Sequence, residues 1–254
     1  IGGGYLGNPV FAKMKGPDPV VERQLLNAVE AIDIVITMGS RTIEFFKSHR
    51  VNTSFYVEPV GKDQARFYPS DSEKKTDLIL VARIGRVKRV DLFLEAVKET
   101  SKVIPGATAT IIGDGPLKQE MEAKARELGI SANVLFAGHQ DNVEDWLRRA
   151  KVFVLTSDSE GLPLSVIEAM MCGLPAVVSK VGDLGDLIKD GVNGYLVQER
   201  SPKAFADCFV KLLADRMHLQ QCSKSAIVSS ENYKLHHASR MWNTILYSDQ
   251  TGIQ

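Results

Sequence analysis

The stretch EGLPLSVIEAMMCGLPAVV, residues 160–178, decides how the rest of the chain is read. Pro163 suits the first position of a helix, because its ring fixes φ and its missing N–H is one that a helix start leaves unpaired anyway. The amides of that start point back toward Gly161 and Leu162, a natural seat for a phosphate or a sugar hydroxyl. Leu164, Val166, Ile167, Ala169, Met170, Met171 and Cys172 make the helix apolar on all sides, which marks it as buried. Into this surround the sequence places Glu168, about 8 Å along the helix axis.

A carboxylate left unpaired in such a place is costly, so Glu168 needs donors. A ribose diol would supply two; a backbone amide or a basic side chain of the protein is the alternative, and the residue alone does not choose. Glu160, in the loop before the same helix, adds weight to a ligand. Two carboxylates flanking a phosphate-seating helix start can address both ends of a nucleoside diphosphate sugar.

Working outward, short β-rich runs alternate with helical stretches of about ten to fifteen residues, as right-handed crossovers onto a parallel sheet require. The predicted strands are 77–82, 108–112, 133–137, 151–155 and 174–179. They are apolar throughout rather than alternating, as expected when helices cover both faces. The expected fold is therefore α/β, a Rossmann-like parallel sheet with helices on both faces.

In such sheets ligands gather at the carboxyl ends of the strands. Arg83 follows the first predicted strand and Gly113-Asp114-Gly115-Pro116 the second. Gly138-His139 follow the third and Thr156 to Glu160 the fourth. The glycines at 113 and 115 allow close backbone approach to a ligand; the plain reading of that run is a tight turn. In RIGRVKR, residues 83–89, Arg83 and Lys88 are placed to neutralise a pyrophosphate, one as a fork and the other as a point charge. Arg86 and Arg89 are expected to face water, and a solvated basic loop is the alternative for the whole run.

Upstream, Val21, Leu25, Ala28, Val29 and Ile32 recur at helical spacing. A short strand over 34–36, a helix capped by Ser40 and a second short strand over 55–57 follow, a partial second α/β unit. Residues 60–76 read as a linker, and three helical stretches close the chain from Pro202. The expected boundaries are 1–68 for the first unit with its linker, 69–214 for the Rossmann-like domain and 215–254 for C-terminal helices packing back toward the first unit. Gly2-Gly3-Gly4-Tyr5-Leu6-Gly7 satisfies a dinucleotide-binding pattern, but no strand precedes it and no evident helix follows, so it reads as a loop.

Over 254 residues, 31 basic side chains balance 31 acidic ones, so no global field draws in nucleic acid. Three cysteines without a CxxC spacing argue against a disulfide framework or thiolate zinc site and for the cytoplasm. No apolar run approaches the roughly 20 residues of a membrane helix. The chain has no initiating Met and reads as part of a longer protein.

Taken together, Arg83 with Lys88, Gly113-Asp114-Gly115-Pro116, and Glu160 and Glu168 with seven residues between them followed by Ala169-Met170 and Gly173-Leu174-Pro175, resemble the retaining, family-four glycosyltransferases of the GT-B fold. The resemblance covers roughly residue 31 to the C-terminus and implies the C-terminal, donor-binding half plus the end of the N-terminal domain. It implies that Arg83 and Lys88 bind the donor diphosphate and that Glu168 binds the ribose hydroxyls. Glu160, with the Gly161 and Leu162 backbone at Pro163, is implied to meet the transferred sugar or its leaving phosphate, and the loop at Gly138, His139 and Gln140 to lie near the base. No metal and no cofactor is implied, and no D-x-D occurs.

The partners implied are a nucleotide-sugar donor, a saccharide or lipid-linked acceptor and peripheral contact with the inner membrane face. The resemblance implies that the acceptor site and a catalytic histidine lie in a missing N-terminal domain; none of His49, His139, His218, His236 and His237 fits that role. The chain departs from the family where Pro59 is followed by Val60-Gly61 instead of Asn-Gly, and where Gly182 is followed by Asp183-Leu184-Gly185-Asp186. Alternative readings are a nucleotide-sugar epimerase of the same fold and a non-catalytic donor-binding subunit. A receiver-like signalling domain is disfavoured, because Arg83 stands where an acidic cluster would.

Overall fold

The structure is a computed structural model that describes residues 19–57 and 60–247. The Gly2–Gly7 run and Pro59 lie outside the described residues. Among the described residues there are eight strands, in two parallel sheets, and ten α-helices.

The first unit is small. Helix α1 (Pro19–Glu30) precedes β1 (Ile34–Thr37), and α2 (Ser40–Ser48) carries the chain over to β2 (Ser54–Val57), which pairs parallel with β1. Val29, Phe46 and Val51 form its buried centre, with the Phe46 and Phe55 rings stacked at 5.8 Å.

The main sheet holds β3 (Thr76–Val81), β4 (Ala109–Ile112), β5 (Val134–Gly138), β6 (Ala150–Leu155), β7 (Ala176–Ser179) and β8 (Gly194–Val197). All pairs are parallel, in the order β5-β4-β3-β6-β7-β8. The chain winds outward from β3 to one edge, returns, and winds from β6 to the other. The crevice where this direction reverses, at the carboxyl ends of β3 and β6, is where a Rossmann-like sheet takes its ligand.

Alternation along β3 divides the core. Leu78 and Leu80 pack on one face with α3 (Val90–Val103) and with Phe205 and Phe209 of α8 (Pro202–Ala214). Ile79 faces the other side, with Phe153, Leu155 and the buried residues of α6 (Leu164–Met171). Helices α4 (Lys118–Glu127), α5 (Val143–Arg148) and the single turn α7 (Leu184–Leu187) complete the crossovers. The expected α/β class with helices on both faces is what the structure shows.

Two more helices, α9 (Arg216–Ser230) and α10 (Leu235–Tyr247), close the chain. Helix α9 lies on α6, where Ser223 Oγ donates to the Gly173 carbonyl at 2.6 Å. Beyond it the chain meets the linker: Lys62 N–H donates to Tyr233 O at 2.8 Å and Leu235 N–H to Lys62 O at 2.9 Å. Among the described residues no helix is long and apolar enough to cross a membrane.

The structure corrects two local expectations. Strand β8 was not predicted, because four residues following the turn-like Asp190-Gly191-Val192-Asn193 carry too little period to show. Ser40 does not cap α2; Gly39 occupies the N-cap without a side-chain bond, and the first amides of the helix find carboxylates elsewhere in the chain.

Candidate functional site

The loops after β3 and β6 are bound to each other. Thr156 Oγ1 donates to the carbonyls of Lys88 and Arg89 at 3.0 and 2.9 Å, and Asp158 N–H donates to Val87 O at 2.8 Å. Lys88 ends a one-turn 3-10 helix, Arg86–Lys88, and its Nζ donates to Glu160 Oε1 at 2.6 Å. Glu160 is nearly buried, with its side chain 9% exposed. Arg83, just past β3, is exposed and makes no side-chain bond among the described residues.

Arg89 does not face water. Its backbone takes φ 48, a left-handed value that a bulky side chain adopts only when its surroundings hold it there. The guanidinium forks onto Asp91 and reaches Asp158 at 3.3 Å, which Arg200 also grips at 2.9 Å. Burial alone would raise the Asp91 pKa, but the Arg89 hydrogen bonds and charge outweigh it and hold that carboxyl below its ordinary value. Arg86 is exposed, as expected.

Gly113 and Gly115 are tightly fitted, and what they fit is protein. A Cβ on Gly113 would stand 2.0 Å from the Ala82 carbonyl oxygen, and one on Gly115 2.3 Å from that of Ile84. These glycines let the β4 loop lie on the β3 loop, so the close approach is to backbone carbonyls rather than to open space. Gly138, at the end of β5, accepts a 2.7 Å bond from Gly113 N–H. His139 beyond it is exposed, with Nε2 at 3.4 Å from Asp141 Oδ1.

Helix α6 starts one residue later than expected. Pro163 is its N-cap, and the Pro163 carbonyl accepts from Val166 N–H at 3.1 Å. Leu162 is buried beneath the helix, while Gly161 is exposed and its carbonyl accepts from Asp183 N–H at 3.2 Å. Glu168 keeps a side chain 16% exposed and has a protein partner after all, Lys62, whose Nζ donates to its Oε1 at 2.5 Å. The pair lines a cavity of about 460 Å³, shared with Phe67, His139, Gln140 and Val143.

The predicted residues thus fall into neighbouring groups on one rim. Glu168 and His139 share a cavity; Lys88 and Glu160 form an ion pair between the loops after β3 and β6; Arg83 stands just past the end of β3. Lys62 escaped the sequence reading because it lies in the linker, where a single lysine within a charge cluster carries no periodic signal. A second cavity of about 530 Å³, lined by Arg86, Arg89, Leu117 and Lys124 among others, contains none of the predicted residues.

The first unit contacts this rim directly. Asp186 Oδ2 accepts from Ser40 N–H at 2.9 Å, Asp186 Oδ1 from the Ser40 hydroxyl at 3.0 Å, and Asp183 Oδ1 from Arg41 N–H at 3.0 Å. Two carboxylates from the loop after β7 therefore cap α2, where its unpaired amides and positive dipole end favour negative charge.

Comparison with known proteins agrees with this fold. The chain is 30% identical over 246 residues to the N-acetyl-alpha-D-glucosaminyl L-malate synthase of Bacillus anthracis, covering 91% of this chain and 64% of that protein. It superposes with TM-score 0.81 on a variant of TarM from S. aureus solved with Fondaparinux, alpha-GlcNAc-glycerol and UDP, at 20% identity, covering 94% of this chain and 49% of that one. With TM-score 0.63 and 27% identity, 69% of it matches the whole of the C-terminal domain of a Glycosyl Transferase Group 1 family protein, LpcC, from Francisella tularensis. The chain spans less than two thirds of the length of the curated relative. Residues 62–228, the entire main sheet and its crossovers, match the Glycosyl transferases group 1 family, and the chain belongs to that family.

Proposed function

We propose that this chain is the donor-binding half of a family-four glycosyltransferase that moves a glycosyl unit from a nucleoside diphosphate sugar to a saccharide or lipid-linked acceptor, with retention of anomeric configuration. The observation that carries the reading is Glu168 on the buried helix α6, presenting a half-shielded carboxylate to a cavity that also holds His139 and Gln140. A nucleoside fits those groups: the diol meets the carboxylate and the base lies by the β5 loop. The diphosphate then extends along the rim toward the β3 and β6 loops.

In the reaction the bond between the anomeric carbon and the diphosphate oxygen breaks, and a bond from that carbon to the acceptor hydroxyl oxygen forms. The charge that develops lies on the departing diphosphate. Arg83, exposed and without a side-chain partner among the described residues, and Lys88 supply cations for it, and the α6 start supplies amides. Such stabilisation is fixed before the reaction begins and needs no reorganisation when the bond breaks. A resident metal or cofactor has no part in this scheme. The TarM variant solved with UDP has the same fold, which supports a nucleotide in this crevice. The proton of the acceptor hydroxyl passes to the departing diphosphate as the new bond forms.

A thermal-shift titration with UDP, GDP and ADP sugars tests the reading. A ligand at a hundred times its dissociation constant adds about 2.7 kcal/mol of stability. Arg83→Ala and Glu168→Ala are expected to abolish the shift, and the assignment fails if both respond like the parent. Isomerisation of the donor sugar without any acceptor would show an epimerase instead.

A further inference from the structure

A carboxylate that must accept from a ribose diol has to be held still and kept charged while water leaves. Glu168 is held at one oxygen only: Lys62 Nζ donates to Oε1, and no bond to Oε2 occurs among the described residues. An ionised carboxyl offers about four lone-pair directions over its two oxygens, so one lysine bond leaves room for both ribose hydroxyls. The lysine therefore does not compete with the diol. It supplies the counter-charge that a desolvated carboxylate needs, at the other oxygen.

Lys62 is itself fixed by its backbone. Its N–H and C=O bond to Tyr233 and Leu235, and Gly61 before it lies so close to the start of α10 that a Cβ would come within 2.8 Å of both Ala238 Cβ and Leu235 Cα. With its backbone held in place, only the rotamer freedom of the side chain is left to lose when the ammonium meets Glu168. The ammonium is thus delivered to Glu168 from a junction of linker and C-terminal segment closed by a single bridge, not from the Rossmann-like sheet.

We propose that Lys62 is a positioning residue for the donor: it orients the Glu168 carboxylate toward the ribose and makes ribose selectivity depend on the junction of linker and C-terminal helix. This rests on the reading of Glu168 as the ribose acceptor.

The test measures binding of UDP, GDP and ADP and of the 2′-deoxy form of each to the 254-residue chain, using the nucleotide bound most tightly. The parent is expected to prefer the ribonucleotide by about tenfold, the worth of one hydrogen bond to a charged group. In Lys62→Met that preference falls to about twofold or less while affinity for the deoxynucleotide is kept, which also shows the site still folded. Lys62→Arg, which keeps a cation, recovers part of it. A merely structural lysine would weaken both nucleotides alike, and that result overturns the proposal. If Lys62→Met keeps the parental preference while Glu168→Gln loses it, Lys62 has no such role and the donor site stands. If Glu168→Gln keeps it too, the ribose assignment of Glu168 falls, and with it the proposal.

Discussion

Gly182 lies directly against Glu160: a Cβ at Gly182 would stand 2.0 Å from the Glu160 carbonyl oxygen, and the glycine holds φ +56. An alanine there meets both a left-handed backbone and a collision with main chain, neither of which a rotamer change relieves. We expect Gly182→Ala to cost about 1–3 kcal/mol and to push the Glu160 loop away from Lys88. Chemical denaturation reads the first effect and a nucleotide thermal-shift titration the second; an unchanged unfolding midpoint would show that the loop has room to yield.

The capping of α2 by Asp183 and Asp186 predicts a local change with little global effect. A helix cap is worth about 0.5–2 kcal/mol. Asp183→Ala with Asp186→Ala is expected to speed hydrogen exchange at the first-turn amides of residues 40–43 and to leave β3 and β6 protected. Unaltered exchange at those amides would mean that the two carboxylates do not hold the helix start in solution.

Asp77 predicts how the sheet responds to acid. Its carboxylate accepts from Thr108 N–H at 2.8 Å and from Lys151 Nζ at 2.7 Å, joining β3 to the start of β4 and to β6. Burial would raise its pKa; the Lys151 and Thr108 hydrogen bonds outweigh this, so the folded value lies below the ordinary one. The stabilisation is therefore complete above the unfolded-state value of about 3.9 and is lost as pH falls through the lower folded value. At pH 7 Asp77→Asn should be less stable than the parent by about 1–3 kcal/mol, and the gap should close as the pH falls below the folded value. A gap that stays constant from neutral to acid pH would show that charge at Asp77 is not what matters.

The main sheet was legible because its strands are continuous apolar runs with helical stretches between them; the five predicted strands coincide with β3 to β7 within two residues at either end. The rim was legible for a chemical reason. Glycines, cations and carboxylates stand out when they fall in the loops after such runs, as Arg83, Lys88 and Glu160 do, and Glu168 stands out as the one charge on a largely apolar helix. What stayed hidden are the pairings across long separations in the chain. Neither the 106-residue gap between Lys62 and Glu168 nor the 72-residue gap between Lys88 and Glu160 leaves a mark in local spacing. Arg89 was misjudged in part for the same reason, since Asp158, itself held by Arg200, reaches it only once the loops have folded together. The glycines at 113 and 115 were recognised as sites of close approach, but a sequence does not say what approaches.

The pairing of Lys62 with Tyr233 and Leu235 ties a stretch from the first third of the chain to one near its end. Any shortened version stopping before Tyr233 would strip the connector of both of its backbone partners and loosen the segment that carries Lys62. The tail is thus a buttress for the joint, and expression boundaries drawn at the last strand of the sheet would remove it.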